Sequence, residues 1–173
     1  MSAEDWGPRL EALEARLHCA EGHAAILDLK SRYGALMDAR YTRQGPKSQV
    51  ALDGLAEQLC DLFSADAVWE AGGELGTAEG RAELYERFRR PSLSYSWHFF
   101  VKPTIRVEAE RAFGRWDVLA MMTTTNGRAM WMVGVEEDEY AYVDGLWLHT
   151  RMKLDSKLMA PYDRGWGPKP PEA

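Results

Sequence analysis

Four histidines are the natural place to look for acid–base chemistry in this chain, and His98 is the one set among unusual neighbours. It lies in Ser-Tyr-Ser-Trp-His-Phe-Phe, a run that reads as a strand. His98 then shares a face with Ser96 and Phe100, while Trp97 and Phe99 point the other way. An imidazole titrates near neutrality, so a pocketed histidine suits proton transfer. The plainer alternative is a structural histidine on a sheet surface. Asp38 falls late in a helical segment, one residue past the apolar Met37, at the edge of a buried stripe. A carboxylate there can orient a histidine, or it can be an exposed acid beside Arg40. Tyr33 and Asp38 are separated by roughly 140° around the helix, which lets both border one cavity. Trp147, His149 and Arg151 alternate on one predicted strand, where the arginine could hold an oxyanion, stack on a ring or close a cross-strand ion pair. His18 and His23 read as surface groups.

The elements that must position these residues change character along the chain. Leu10, Leu13 and Leu17 recur at helical spacing, so a helix is expected from just after Pro8, with a break near Gly22. A second helical segment carries Ile26, Leu29, Tyr33, Leu36 and Met37 on one stripe. Thr-Arg-Gln-Gly-Pro-Lys-Ser reads as a turn-rich linker. The next helix places Leu52, Leu55, Leu59, Leu62 and Phe63 on one side. Short strands around residues 67–70 and a turn at Ala-Gly-Gly-Glu-Leu-Gly precede a short helix stopped by Pro91. Long extended segments follow, and Asp144-Gly145 between two of them is the strongest turn signal in the chain. Helices first and long strands after them predict an α+β domain with an antiparallel sheet wrapped on the helices. The proline- and glycine-rich tail from Pro161 is expected to be loose or to wrap the surface.

Composition narrows the function classes. The 173 residues suit one domain, expected to span residues 1–173, with 1–20 as a helical extension. A net charge of -6 argues against nucleic acid as a partner. No apolar stretch is long enough for a membrane span, and the acidic start does not read as a secretory signal, so a cytoplasmic protein is expected. Cys19 and Cys60 read as buried reduced thiols on or near apolar helix faces, with no metal-ligand spacing around them, and no metal site is expected. There is no phosphate-binding glycine loop, serine elbow or His-Glu-x-x-His motif. Eight methionines and seven tryptophans suit packing against a flat aromatic ligand, although the same residues fill cores and subunit interfaces.

Six blocks carry a family resemblance. They are Ile26–Asp38, Leu59–Glu70, Gly76–Phe88, Ser96–Val107, Gly114–Ala120 and Val143–Arg151. In that order they resemble the SnoaL-like branch of the nuclear transport factor 2-like superfamily, over about residues 25–161. The resemblance implies a cone-shaped open barrel with helices packed on a strongly curved, mixed and mostly antiparallel sheet. It also implies an Asp–His pair, matched by Asp38 and His98, with Tyr33 as a pocket tyrosine and Arg151 similar to a catalytic arginine near the end of the sheet. Tyr41, Trp69, Phe100, Met121, Trp131, Trp147 and His149 are the candidates for lining a substrate pocket. The implied activity is a lyase without metal or organic cofactor that eliminates water from a small hydroxylated aromatic substrate. Formaldehyde release from diaryl compounds, isomerisation or cyclisation, and ligand binding without catalysis are the alternatives on this scaffold. A homo-oligomer is implied, a trimer before a dimer.

Overall fold

The computed structural model describes residues 6–73 and 76–167. Helix α1 (Trp6–Asp38) is followed by a small hairpin, β1 (Tyr41–Thr42) and β2 (Gly45–Pro46). Helix α2 (Gln49–Cys60), strands β3 (Phe63–Gly72) and β4 (Gly76–Glu79) and helix α3 (Gly80–Arg89) come next. Four long strands complete the chain: β5 (Tyr95–Glu108), β6 (Arg111–Thr123), β7 (Ala129–Val143) and β8 (Leu146–Pro161). The six-stranded sheet has the order β4-β3-β8-β7-β6-β5, antiparallel except where β3 runs parallel to β8. It is therefore mixed and open, and α1 lies across its concave face. No helix among the described residues is long and apolar enough to cross a membrane.

Four sequence expectations needed correction. Helix α2 stops at Cys60, so Leu62 and Phe63 do not extend its apolar side, and Phe63 opens β3. Gly22 does not break a helix: α1 runs unbroken for 33 residues. A Cβ at Gly22 would stand 3.2 Å from the Trp147 ring and from Val107, so glycine is there to let the helix approach the sheet. The Thr42–Ser48 linker is ordered as the β1–β2 hairpin, which pairs Tyr41 with Pro46 and Thr42 with Gly45. Cys19 is exposed, whereas Cys60 is buried as expected. The turn at Asp144-Gly145 has φ of 50° and 84°, the two positive values that a two-residue hairpin of matching twist requires.

Curvature comes from irregularities in pairing. An extra residue interrupts β5 between Val101 and Thr104, and β8 carries extra residues opposite Val133–Gly134 and opposite Glu139–Tyr140. Each bulge bends its strand and raises the local twist. The main core fills the concavity with Ile26, Leu29, Tyr33 and Met37 of α1, Leu59 and Cys60 of α2, Leu84 and Phe88 of α3, and Trp116, Tyr140 and Met152 of the sheet. A second apolar cluster, Val118, Ala120 and Met132, lies on the same face, against Phe100, Met122 and Leu154.

One charged residue sits inside the apolar stripe of α1. Lys30 is 1% exposed, and its ammonium donates to Glu136 and, at 2.8 Å, to Asp138 Oδ2. Tyr140 Oη donates to the same Asp138 oxygen at 2.7 Å and accepts from Trp116 Nε1 at 3.2 Å. Burial draws the Lys30 ammonium below its ordinary pKa, against the charge of Asp138 and its hydrogen bond, which pull the other way. Removing the lysine leaves two buried carboxylates without a cation. Lys30→Met is therefore expected to cost about 3–5 kcal/mol in urea-denaturation free energy, far more than Lys47→Met on the exposed hairpin.

Candidate active site

The last residue of α1 meets β5. His98 Nδ1 stands 2.6 Å from Asp38 Oδ1. The backbone N–H of His98 also donates to the carboxylate, at 3.1 Å to Oδ1 and 3.0 Å to Oδ2. A carboxylate at Nδ1 selects the tautomer protonated there and leaves Nε2 with its lone pair free. The pair is mostly shielded, the side chains being 16% exposed for His98 and 9% for Asp38. Phe100 lies parallel to the imidazole, with centroids 6.0 Å apart and an interplanar angle of 6°.

Strand register shows what surrounds His98 on the concave face. Directly opposite it across β6 is Ala120, and beyond that on β7 is Met132. The row on one side holds Ser96, Met122 and Met130; the row on the other holds Phe100, Val118 and Gly134. His98 thus faces a small alanine, and the rows around it are largely apolar. Ser96 is buried with its hydroxyl unpartnered. Tyr41, close beyond Asp38 in the chain, is buried and packs on Tyr95 at 6.4 Å between centroids.

Tyr33 lies one step deeper. It packs against Phe100, Phe63 and His149 and accepts a hydrogen bond from Trp69 Nε1 at 3.1 Å. Burial pushes its phenol up to about 12, so Tyr33 keeps its proton and remains a donor across the physiological range. His149 is fully buried between Phe63 and Tyr140, with both ring nitrogens unpartnered. Its Nδ1 is 3.9 Å from Asp138 Oδ2. Desolvation, reinforced by the Lys30 charge, holds His149 well below its ordinary pKa, so this ring is neutral.

The structure brings together Asp38, His98, Tyr33, Phe100, Trp69, Tyr41 and His149 and separates the remaining candidates from them. Arg151 was expected on the face of Trp147 and His149. The bulge between those positions carries it to the outer face, where it pairs with Glu70, and Met152 turns inward instead. Met121 and Trp131, taken from the right runs, point outward. Their neighbours Ala120, Met122 and Met132 are the inward residues, and Trp131 packs on Tyr162 and Trp166. Trp147 faces inward at the far end of the sheet, against Gly22 and His18. The Lys30, Glu136, Asp138 and Tyr140 network had not been anticipated. Its signals were a lysine four residues after Ile26 and three before Tyr33, and acids alternating with a tyrosine on β7. Among the described residues no group of three or more His, Cys, Asp or Glu side chains is arranged to hold a metal ion.

This fold and its open concave face define a familiar class. The SnoaL-like domain model matches residues 20–153, and the chain belongs to that family. A hexachlorocyclohexane dehydrochlorinase, LinA type 2, has a similar structure, with a TM-score of 0.68 at 22% identity over 89% of this chain and 97% of that one. A Novosphingobium aromaticivorans protein provisionally assigned as a scytalone dehydratase gives 0.67 at 21% identity, covering 83% and 89% of the two chains. An NTF2-like protein with a cystatin-like fold from the same organism gives 0.67 at 23%, covering 86% and 90%. A search of curated proteins returns no match.

Because His149 stays neutral when folded and gains a proton when unfolded, the unfolded chain binds more protons below pH 6.5. Stability is fully present above that pH and falls as pH drops through it, by about 1.4 kcal/mol per pH unit from this residue. His149→Phe is expected to flatten the pH dependence of the melting temperature between pH 7.5 and 5, and an unchanged slope would contradict a buried neutral imidazole.

Proposed function

We propose that this protein is a cofactor-independent lyase in which His98 removes a proton from a small hydroxylated, aromatic substrate and water departs. The observation that carries the reading is the Asp38–His98 pair, with a short bond at Nδ1 and apolar rows beside the ring. Asp38 holds the tautomer and stabilises the imidazolium formed when Nε2 accepts the proton. The imidazolium then returns that proton to the departing hydroxyl, so that one water molecule leaves and the enzyme is restored. Tyr33 supports the step as a donor: it accepts from Trp69, and its own proton is available to steady negative charge developing on substrate oxygen. Phe100, Ala120, Met122 and Met132 suit a flat apolar ring. Arg151 has no part in this scheme, because it faces the opposite side of the sheet.

Mass spectrometry of products from a panel of hydroxylated aromatic and diaryl compounds tests the assignment. Wild type is expected to release water, and His98→Ala to lose about 10²–10⁴-fold in rate. Asp38→Asn, which keeps the shape and loses the charge, is expected to fall between them. Formaldehyde as the product would keep the base and change the bond broken. An unchanged mass with a new retention time would replace elimination by isomerisation. Turnover surviving intact in His98→Ala would sink the assignment of the base.

A further inference from the structure

The first half of α1 carries an apolar stripe that its own domain does not cover. Trp6, Leu10, Leu13 and Leu17 are between 49% and 57% exposed. Ala20 and Ala24 continue the stripe and are exposed as well. At 100° per residue these six positions cluster roughly half a turn away from Gly22, Ile26, Leu29 and Tyr33, which face the sheet. The stripe therefore points away from the molecule. Most of it also lies before residue 20, where the family domain begins.

The spacing of the six is four, three, four, three and four residues. That alternation averages 3.5 and is the repeat of a coiled-coil seam, with Leu10, Leu17 and Ala24 at one core position and Trp6, Leu13 and Ala20 at the other. The flanking positions then fall on Arg9 and Arg16 on one side and on Glu14 and Glu21 on the other. In a parallel, in-register pairing, each flanking residue meets the one five positions further along the partner helix. Arg9 faces Glu14 of the second copy, and Arg16 faces its Glu21. An antiparallel pairing instead brings arginine against arginine and glutamate against glutamate. The charge pattern is self-complementary in one orientation only.

We propose that residues 6–24 of α1 join copies of this chain through a short parallel coiled coil. The occupant of the stripe is the same stripe on another copy, with the two alanines allowing close approach where the helices run up to the domains. This assembly is independent of the lyase reading, and its test reads mass, not turnover.

Size-exclusion chromatography with light scattering separates the outcomes. Wild type is expected at an integral multiple of the chain mass. Two charge-uniform variants, Arg9→Glu with Arg16→Glu and Glu14→Arg with Glu21→Arg, are each expected to associate at least tenfold more weakly. Their equimolar mixture is expected to regain the wild-type mass, because the pairs are complementary again in the parallel arrangement. Leu13→Ser with Leu17→Ser must lower the mass as well. All of these side chains are exposed, so circular dichroism should show the fold retained. A monomeric wild type, or charge-uniform and serine variants that keep its mass, would overturn the proposal.

Discussion

The buried cluster of Lys30 with Glu136 and Asp138 is the constraint on which the rest of the arrangement depends. Apolar packing alone lets a helix rotate or slide on a sheet by small amounts at modest cost. A buried ammonium shared between two carboxylates does not, because any displacement leaves charge without a partner in a medium that penalises it heavily. The cluster fixes both the rotation of α1 and its height on β7. From Lys30, eight residues of rigid helix carry that registration to Asp38. The carboxylate thus arrives at His98 because of an ion pair more than two turns away.

The bulges do the complementary work on the sheet. Side chains alternate between faces, so one inserted residue reverses the assignment of everything after it. At the bulge in β8, His149 remains inside, Arg151 goes out and Met152 comes in. The same irregularities bend the sheet around α1. Met152, the residue that the β8 bulge turns inward, joins the main core.

Much of this was legible in the sequence. The order of elements, the Asp144-Gly145 turn, the face shared by Ser96, His98 and Phe100, and the meeting of Asp38 with His98 follow from local patterns and from the family likeness. What was missed has a common cause. A bulge is a mismatch between two strands and leaves no mark in either one alone, so Arg151 was placed on the wrong face. Met121 and Trp131 failed similarly, since their runs offered an inward residue on either side. Gly22 reads as a helix breaker until the Trp147 ring that needs its space is known. Lys30 was visible as a charge in an apolar stripe, but its partners lie more than a hundred residues away.

The double grip of Asp38 on His98 has a mechanical meaning. One carboxylate holds both the backbone nitrogen and the ring nitrogen of the same residue, closing a small cycle as a chelating agent closes around an ion. The imidazole cannot swing about its side-chain torsions without giving up the ring bond, and strand β5 cannot drift from α1 without giving up the other. The rotamer entropy of His98 is thus removed during folding. The direction of Nε2 is thereby a property of the resting protein, set by bonds that hold the ring and its strand together.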